Sequence, residues 1–267
     1  MIKVSIAGTS GKKDKDSLMF EISGVDISYA NTLRRLFMSE VPVMAIEDVE
    51  LRKNDSGLYD EIIAHRLGLV VFKTDLKSYN LPGDCKCKGA GCAQCQLKMT
   101  LKAKGPCTVY ASDIKTKDPK VKPIYPKTPI VKLLDDQELE LEAVAILGVG
   151  RVHAKWSSCL AYYKELADLQ IEKQPDNKEE IVEQCPPRIF EVKNSKLEII
   201  KDKVNDCLLC NACVELSGGK IKVEPSKSFL MTIEPWGQLE PQEIVKEAID
   251  AYDEQLEEFT ELISKTK

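Results

Sequence analysis

Three cysteines at C-x2-C-x2-C spacing, Cys207, Cys210 and Cys213, together with Cys185-Pro186 upstream, constrain this chain more than any other feature. Such a set supplies the four thiolates of a cubane iron–sulfur cluster. What the pattern lacks is equally informative. A two-cluster sequence runs C-x2-C-x2-C-x3-C-P twice, and each fourth cysteine ligates the other cluster. Here Ser217 stands at the fourth position of the second run, and Ile181, Lys178 and Pro175 stand where the first run would place its remaining cysteines. One cluster can be built, as [4Fe–4S] or as [3Fe–4S] after iron loss; a second cannot.

A second set, Cys85, Cys87, Cys92 and Cys95, has the spacing C-x-C-x4-C-x2-C. Four thiolates on so short a loop, with Gly89 and Gly91 letting it turn sharply, can close a tetrahedral all-thiolate zinc site. No histidine or carboxylate interrupts the set, so a metal here is structural rather than catalytic. A pair of disulfides, or a thiol loop without metal, are the alternatives. Eight of the ten cysteines therefore sit in two groups at metal-ligand spacing, which favours metal binding in a reducing compartment. Cys107 and Cys159 stand alone and read as small buried hydrophobes.

With 267 residues, 43% of them hydrophobic and 30% charged, the chain can bury a real core as one large or two to three small domains. No apolar run approaches the ~20 residues needed to span a membrane, and Met1-Ile-Lys-Val-Ser begins like a strand, so a cytoplasmic protein without a membrane partner is expected. A net charge of −5 argues against a dominant grip on phosphate backbones. Lys115, Lys117, Lys120, Lys122 and Lys127 are interleaved with prolines and read as a solvated loop. The only two histidines, His65 and His153, read as packed or capping side chains. No nucleophile elbow, P-loop or dinucleotide fingerprint accompanies them, so no catalytic centre is expected in this chain.

Along the chain, Val4–Ile6 and Leu18–Ile22 read as strands around a polar turn at Gly8–Asp16. A helix capped by Ser28 carries Ala30, Leu33, Phe37 and Val41 on one face and stops at Pro42. Val43–Leu51 is strand-like. Tyr59–Leu69 reads as a helix with Ile62, Ile63, Leu67 and the stem of Arg66 on a shared face. Strand-type runs follow at Leu97–Ala103, Thr108–Ala111, Ile130–Leu134 and Leu139–Leu147. The cluster cysteines lie in a short charged segment with strands at Lys196–Ile200 and Lys220–Val223. After it, Ser228–Glu234 alternates as a strand, and a long helix starts near Pro241.

In that last helix Val245, Ile249, Tyr252, Leu256, Phe259 and Ile263 recur at alternating spacings of four and three, a heptad seam sustained for about three heptads. The seam can dock on the chain's own sheet, on a partner helix, or on both. The strongly acidic remainder of the helix favours the partner.

Tyr29-Ala-Asn-Thr-Leu-Arg-Arg35, followed by Ser39-Glu-Val-Pro42 and Ala45-Ile-Glu-Asp-Val49, resembles the signature of the α-like subunits of multisubunit RNA polymerases. Leu58-Tyr-Asp-Glu-Ile-Ile-Ala-His-Arg-Leu67 matches the second signature in its archaeal and eukaryotic form, and Met231–Ile244 resembles the strand–turn–helix that closes the α dimerisation domain. The matches run in order along nearly the whole chain, which is similar to the D-type α-like subunits of archaeal polymerases. The resemblance implies an α+β fold in three parts: a dimerisation domain from residues 1–45, 152–172 and 224–267; a strand-rich insert at 46–151 with the four-cysteine loop at 85–95; and a ferredoxin-like iron–sulfur domain at 173–223. It implies a non-catalytic assembly scaffold that pairs with a smaller α-like subunit L and then recruits the small subunits N and P and the second-largest catalytic subunit. Asn31, Arg34, Arg35 and the Asp60–Arg66 helix would lie on or near those assembly surfaces. The competing expectation is a ferredoxin-type electron-transfer protein, which the missing second cluster and the lack of any flavin or nicotinamide motif disfavour.

Overall fold

The structure, a computed structural model, describes residues 2–8 and 17–265. The expected turn at Gly8–Asp16 falls, beyond its first residue, outside the described residues. In chain order the elements are strands β1 (Lys3–Gly8) and β2 (Leu18–Ser23), helix α1 (Ile27–Ser39), strand β3 (Val43–Asn54) and helix α2 (Asp60–Gly68). Strands β4 (Gln96–Lys104), β5 (Cys107–Tyr110), β6 (Lys115–Thr116), β7 (Pro129–Leu133), β8 (Glu138–Gly148) and β9 (Cys159–Ile171) follow. Helix α3 (Lys178–Gln184), strands β10 (Phe190–Lys193) and β11 (Lys196–Ile199), helix α4 (Ala212–Leu216), strand β12 (Ile221–Pro235) and helix α5 (Pro241–Lys265) complete the chain. The architecture is mixed α and β with strand-rich sheets.

The chain divides into two compact units. One comprises the described residues of 1–10, 19–32 and 162–232; the other comprises those of 11–18, 33–161 and 233–267. Most of the first unit's strands belong to a sheet ordered β1-β2-β12-β9, and β10 and β11 form a separate hairpin. The second unit contains a sheet ordered β3-β8-β4-β6 and the pair β5-β7.

In the larger sheet the period-two pattern decides what is inside. On β8, Leu139, Leu141, Ala143, Ala145 and Leu147 are buried, and on β4 Leu97, Met99 and Leu101 are buried beside them. With Ile63 and Leu67 of α2, Phe72 and Ile130 they form one apolar core. The opposite face carries paired charges: Lys102 pairs with Glu140, Lys104 and Lys53 with Glu138, and Arg52 with Glu142. A Cβ on Gly148 would lie 2.4 Å from the buried Trp156 ring, so that close approach requires glycine at the end of β8.

Four expectations are corrected. The cap of α1 is Asp26, whose carboxylate accepts the Tyr29 N–H at 2.8 Å; Ser28 already lies inside the first turn. Replacing Asp26 with Ala should cost about 1 kcal/mol in chemical denaturation, while Ser28→Ala should be nearly silent. Ile62 does not share the buried face of α2: it is exposed, because the packed stripe is the narrow Ile63–Leu67 pair. Cys107 is exposed rather than buried, since β5 starts on an outward-facing residue, and its thiol donates to the Lys104 carbonyl. The expected strands Lys220–Val223 and Ser228–Glu234 are not separate: from Ile221 on they are parts of the single 15-residue β12, which passes through an exposed polar stretch at Glu224–Lys227. The 13-residue β9 lies where the sequence pattern assigned no element.

The loop after α2 is pinned by Asp75. Its carboxylate accepts bonds from the Lys120 ammonium at 2.7 Å, the Ser78 hydroxyl at 2.7 Å and the Lys77 N–H at 3.1 Å. The Lys120 ammonium first, then the Ser78 hydroxyl, hold the Asp75 carboxyl down at about 2. A depressed carboxyl stabilises the folded chain above its unfolded pKa, near 4, and that contribution is lost as the pH falls through about 2. Asp75→Asn should therefore cost on the order of 1 kcal/mol at neutral pH, discounted for its exposed lysine partner. Denaturation of both proteins should show the gap closing as the pH drops from about 4 to about 2.

Candidate metal centres and docking helix

The four-cysteine loop folds back on itself just before β4. Cys85 and Cys95 are buried, and Cys87 and Cys92 are half-buried. Their four sulfurs all lie within 4.8 Å of one another, the one such ligand group among the described residues. Cys85 and Cys92 approach to 3.5 Å, as do Cys87 and Cys95, and Cys92 and Cys95 stand 3.8 Å apart. A tetrahedron of zinc–sulfur bonds of about 2.3 Å has edges of about 3.8 Å, so the donor set fits zinc without rearrangement. A disulfide would require sulfurs at about 2.05 Å.

The backbone explains the convergence. The Lys88 N–H bonds the Cys85 carbonyl at 2.7 Å, the Ala90 N–H bonds the Cys87 carbonyl at 3.1 Å, and Lys88, Gly89 and Gly91 all have positive φ. At Gly91 the φ of 89° lies where a side chain would strain the backbone, so this turn requires glycine. The thiols do not titrate alike. The Cys95 thiol, as the largest influence, helps pull Cys87 down to about 6. The Cys87 N–H lowers Cys85, but burial and its three thiol neighbours outweigh it and push Cys85 up to about 12. A cation bound by this set must displace those protons, so its affinity rises with pH.

The second set lies in the first unit. Cys185 caps α3 at its carboxyl end, Cys207 follows a 3-10 turn, and Cys213 lies in α4. Leu209 and Asn211, on either side of Cys210, have φ of 54° and 61°. These left-handed residues curl the loop so that Cys185, Cys207, Cys210 and Cys213 all line one small cavity. Burial, and then the charges of the other three cysteines, raise Cys213 to about 11. Four thiolates lining one cavity can each take one iron of a cubane. Cys185, Cys207 and Cys213 are also part of a small apolar core with Ile181, Phe190 and Ile221.

The positions that would complete a second cluster serve other purposes. Ile181 is 1% exposed in that core, and the Lys178 ammonium donates to the Ser195 carbonyl. Ser217 is buried; its hydroxyl donates to the Val214 carbonyl and accepts the Ile221 N–H, both at 3.1 Å. The serine thus ties the end of α4 to the start of β12, a role the sequence pattern did not reveal.

Helix α5 uses two faces. Pro241, Ile244 and Ala248 are buried, whereas along the heptad seam Ile249, Leu256, Phe259 and Ile263 are 43%, 44%, 60% and 52% exposed. Val245 and Tyr252 are half-buried. The helix therefore docks on its own chain through a stripe offset from the seam, and the seam remains open. On α1, Asn31 and Arg34 are half-buried and Arg35 is exposed; Arg34 reaches Met38 Sδ at 3.7 Å. Of the histidines, His65 is exposed in the last turn of α2, and the His153 ring accepts the Lys155 N–H and meets the Trp156 ring edge-on.

Comparison with known proteins places these sites in context. Residues 45–162 match the RNA polymerase Rpb3/RpoA insert domain. The chain is 36% identical over 268 residues to DNA-directed RNA polymerase subunit Rpo3 of Methanosphaera stadtmanae, covering 95% of this chain and 97% of that protein. It is 37% identical to the Rpo3 of Methanothermobacter thermautotrophicus, covering 92% and 95% of the two chains. With the Rpo3 of Thermococcus kodakarensis the identity is 38%, over 89% and 90%. No helix among the described residues is long and apolar enough to cross a membrane.

Proposed function

We propose, from the premise that this chain belongs to the Rpo3 family of α-like DNA-directed RNA polymerase subunits, that it is a non-catalytic assembly scaffold of a cytoplasmic polymerase. The observation that carries this reading is the open seam of α5 beside a buried stripe on the same helix. A smaller α-like subunit, L, closes that seam to form a heterodimer. The heterodimer then recruits the small subunits N and P and the second-largest catalytic subunit, with Asn31, Arg34 and Arg35 of α1 on the assembly surface. The dimerisation part comprises residues 1–45, 152–172 and 224–267, the insert 46–151, and a ferredoxin-like module 173–223.

Each thiol set has its own occupant in this reading. Cys85, Cys87, Cys92 and Cys95 hold one structural zinc. Cys185, Cys207, Cys210 and Cys213 hold one cluster that staples the module, since ligation can supply much of the folding free energy of so small a segment. A cluster supplies electron storage wherever it binds; here the surrounding residues position and cover it.

Co-expression with the smaller subunit tests the scaffold role: a one-to-one complex is expected, and a chain that stays monomeric beside it would refute the reading. Metal analysis of the isolated chain should return one zinc equivalent. A strong chelator should remove that zinc and loosen residues 80–96 in hydrogen exchange, while pairing through α5 persists. Comparing heterodimer yield with the cluster reduced, oxidised and removed tests a regulatory role for its redox state.

A further inference from the structure

We infer that, of the four irons in the proposed cluster, the one held by Cys210 is surrendered first on oxidation, leaving Cys210 as the single released thiol. The inference rests on the cluster reading of the second thiol set and adds an order to its four ligands.

The asymmetry is visible in the module itself. Cys185, Cys207 and Cys213 are 8%, 9% and 9% exposed and are packed into the module's core, whereas Cys210 is exposed and lies outside that core. The backbone holds the three buried ligands as well. The Cys185 N–H bonds the Ile181 carbonyl, the Cys207 N–H bonds the Val204 carbonyl, and the Cys213 carbonyl accepts the Ser217 N–H, all at 3.1 or 3.2 Å. Among the described residues, none of these turn and cap hydrogen bonds involves Cys210. Its chain neighbours Leu209 and Asn211 are both left-handed, and Leu208 is 64% exposed, so this corner is a bare bend of the loop. Oxidant and water reach an exposed ligand first, and a thiolate on an unanchored bend can swing away without disturbing the core.

The step balances with a one-electron oxidant such as ferricyanide. The [4Fe–4S]2+ cluster gives it one electron and becomes [4Fe–4S]3+. Release of Fe2+ then leaves [3Fe–4S]+ on Cys185, Cys207 and Cys213, and the Cys210 thiolate takes a proton from water. The resulting thiol is free in solvent and open to alkylation.

The test uses the full chain, purified without oxygen and with the already exposed Cys107 blocked by N-ethylmaleimide. It is treated with one equivalent of ferricyanide and then with iodoacetamide, and followed by iron analysis, EPR and peptide mass spectrometry. The expected result is loss of about a quarter of the iron, the EPR signal of an oxidised three-iron cluster, and alkylation of Cys210 roughly tenfold above the other three ligands. Cys210→Ser should still assemble a three-iron cluster in a protease-resistant module. Alkylation spread evenly over the four cysteines, or appearing first at Cys185, Cys207 or Cys213, would overturn the inference alone. Iron and sulfide missing before any oxidant is added would overturn the cluster reading and the inference together.

Discussion

Replacing Leu256 and Phe259 together with glutamate is expected to weaken pairing with the smaller α-like subunit by roughly a thousandfold, about 4 kcal/mol. Both side chains are open to solvent in the isolated chain, at 44% and 60% exposure, so the substitutions remove little from its own fold. In a helix–helix seam, by contrast, each becomes a knob set into a hole, and truncating such an anchor typically costs about 2 kcal/mol or more. Burying a new carboxylate there adds a further penalty. The melting temperature of the chain alone should remain near its unsubstituted value while titration calorimetry loses the binding signal. Ala248→Asp is the counterpart: Ala248 is fully buried, so that variant should destabilise the isolated chain itself. If the Leu256/Phe259 pair left affinity unchanged, the seam would not be the docking surface.

The second large effect is expected from Cys213→Ser. Cys213 is both a proposed ligand and one of the nine buried residues of the module's core, three of which are proposed ligands. Ligation contributes on the order of 10 kcal/mol to metal-stapled segments of this size, far more than such a core can replace. The variant should lose its iron, and residues 173–223 should become protease-labile and exchange rapidly. The sheet of β3, β8, β4 and β6 has its own core and should keep its hydrogen-exchange protection. A variant whose module stays protected without iron would show that packing alone suffices.

Much of the insert was legible because its strands alternate. The period-two runs at Leu97–Ala103 and Leu139–Leu147 identify β4 and β8 to within a residue or two at either end. The start of α5 was legible from Pro241, and the thiol spacing marked a loop whose sulfurs do converge. What was hidden has physical causes. β9 alternates between buried and exposed only over Cys159–Tyr162 and then loses the pattern, so no sustained period announces it. β12 carries Pro225 and a positive φ at Lys227, which read as a break although the strand continues through them. Residue type does not single out Asp26 as the cap, because Ser28, two residues on, is an equally good capping residue; only the bond to the Tyr29 N–H distinguishes them. The seam of α5 was legible as a pattern, but which stripe its own chain covers depends on packing that no local spacing encodes.

The lysine–glutamate rows across β3, β8 and β4 bear on how such a subunit survives before its partners arrive. Each of these exposed pairs adds little to stability. Together they give the sheet a face on which every approaching apolar strand or like sheet would have to strip paired ions of water. The α5 seam, by contrast, presents Ile249, Leu256, Phe259 and Ile263 to solvent. By making the broad sheet face unattractive, the charge rows discourage self-association there and leave the apolar seam of the helix as the more adhesive surface.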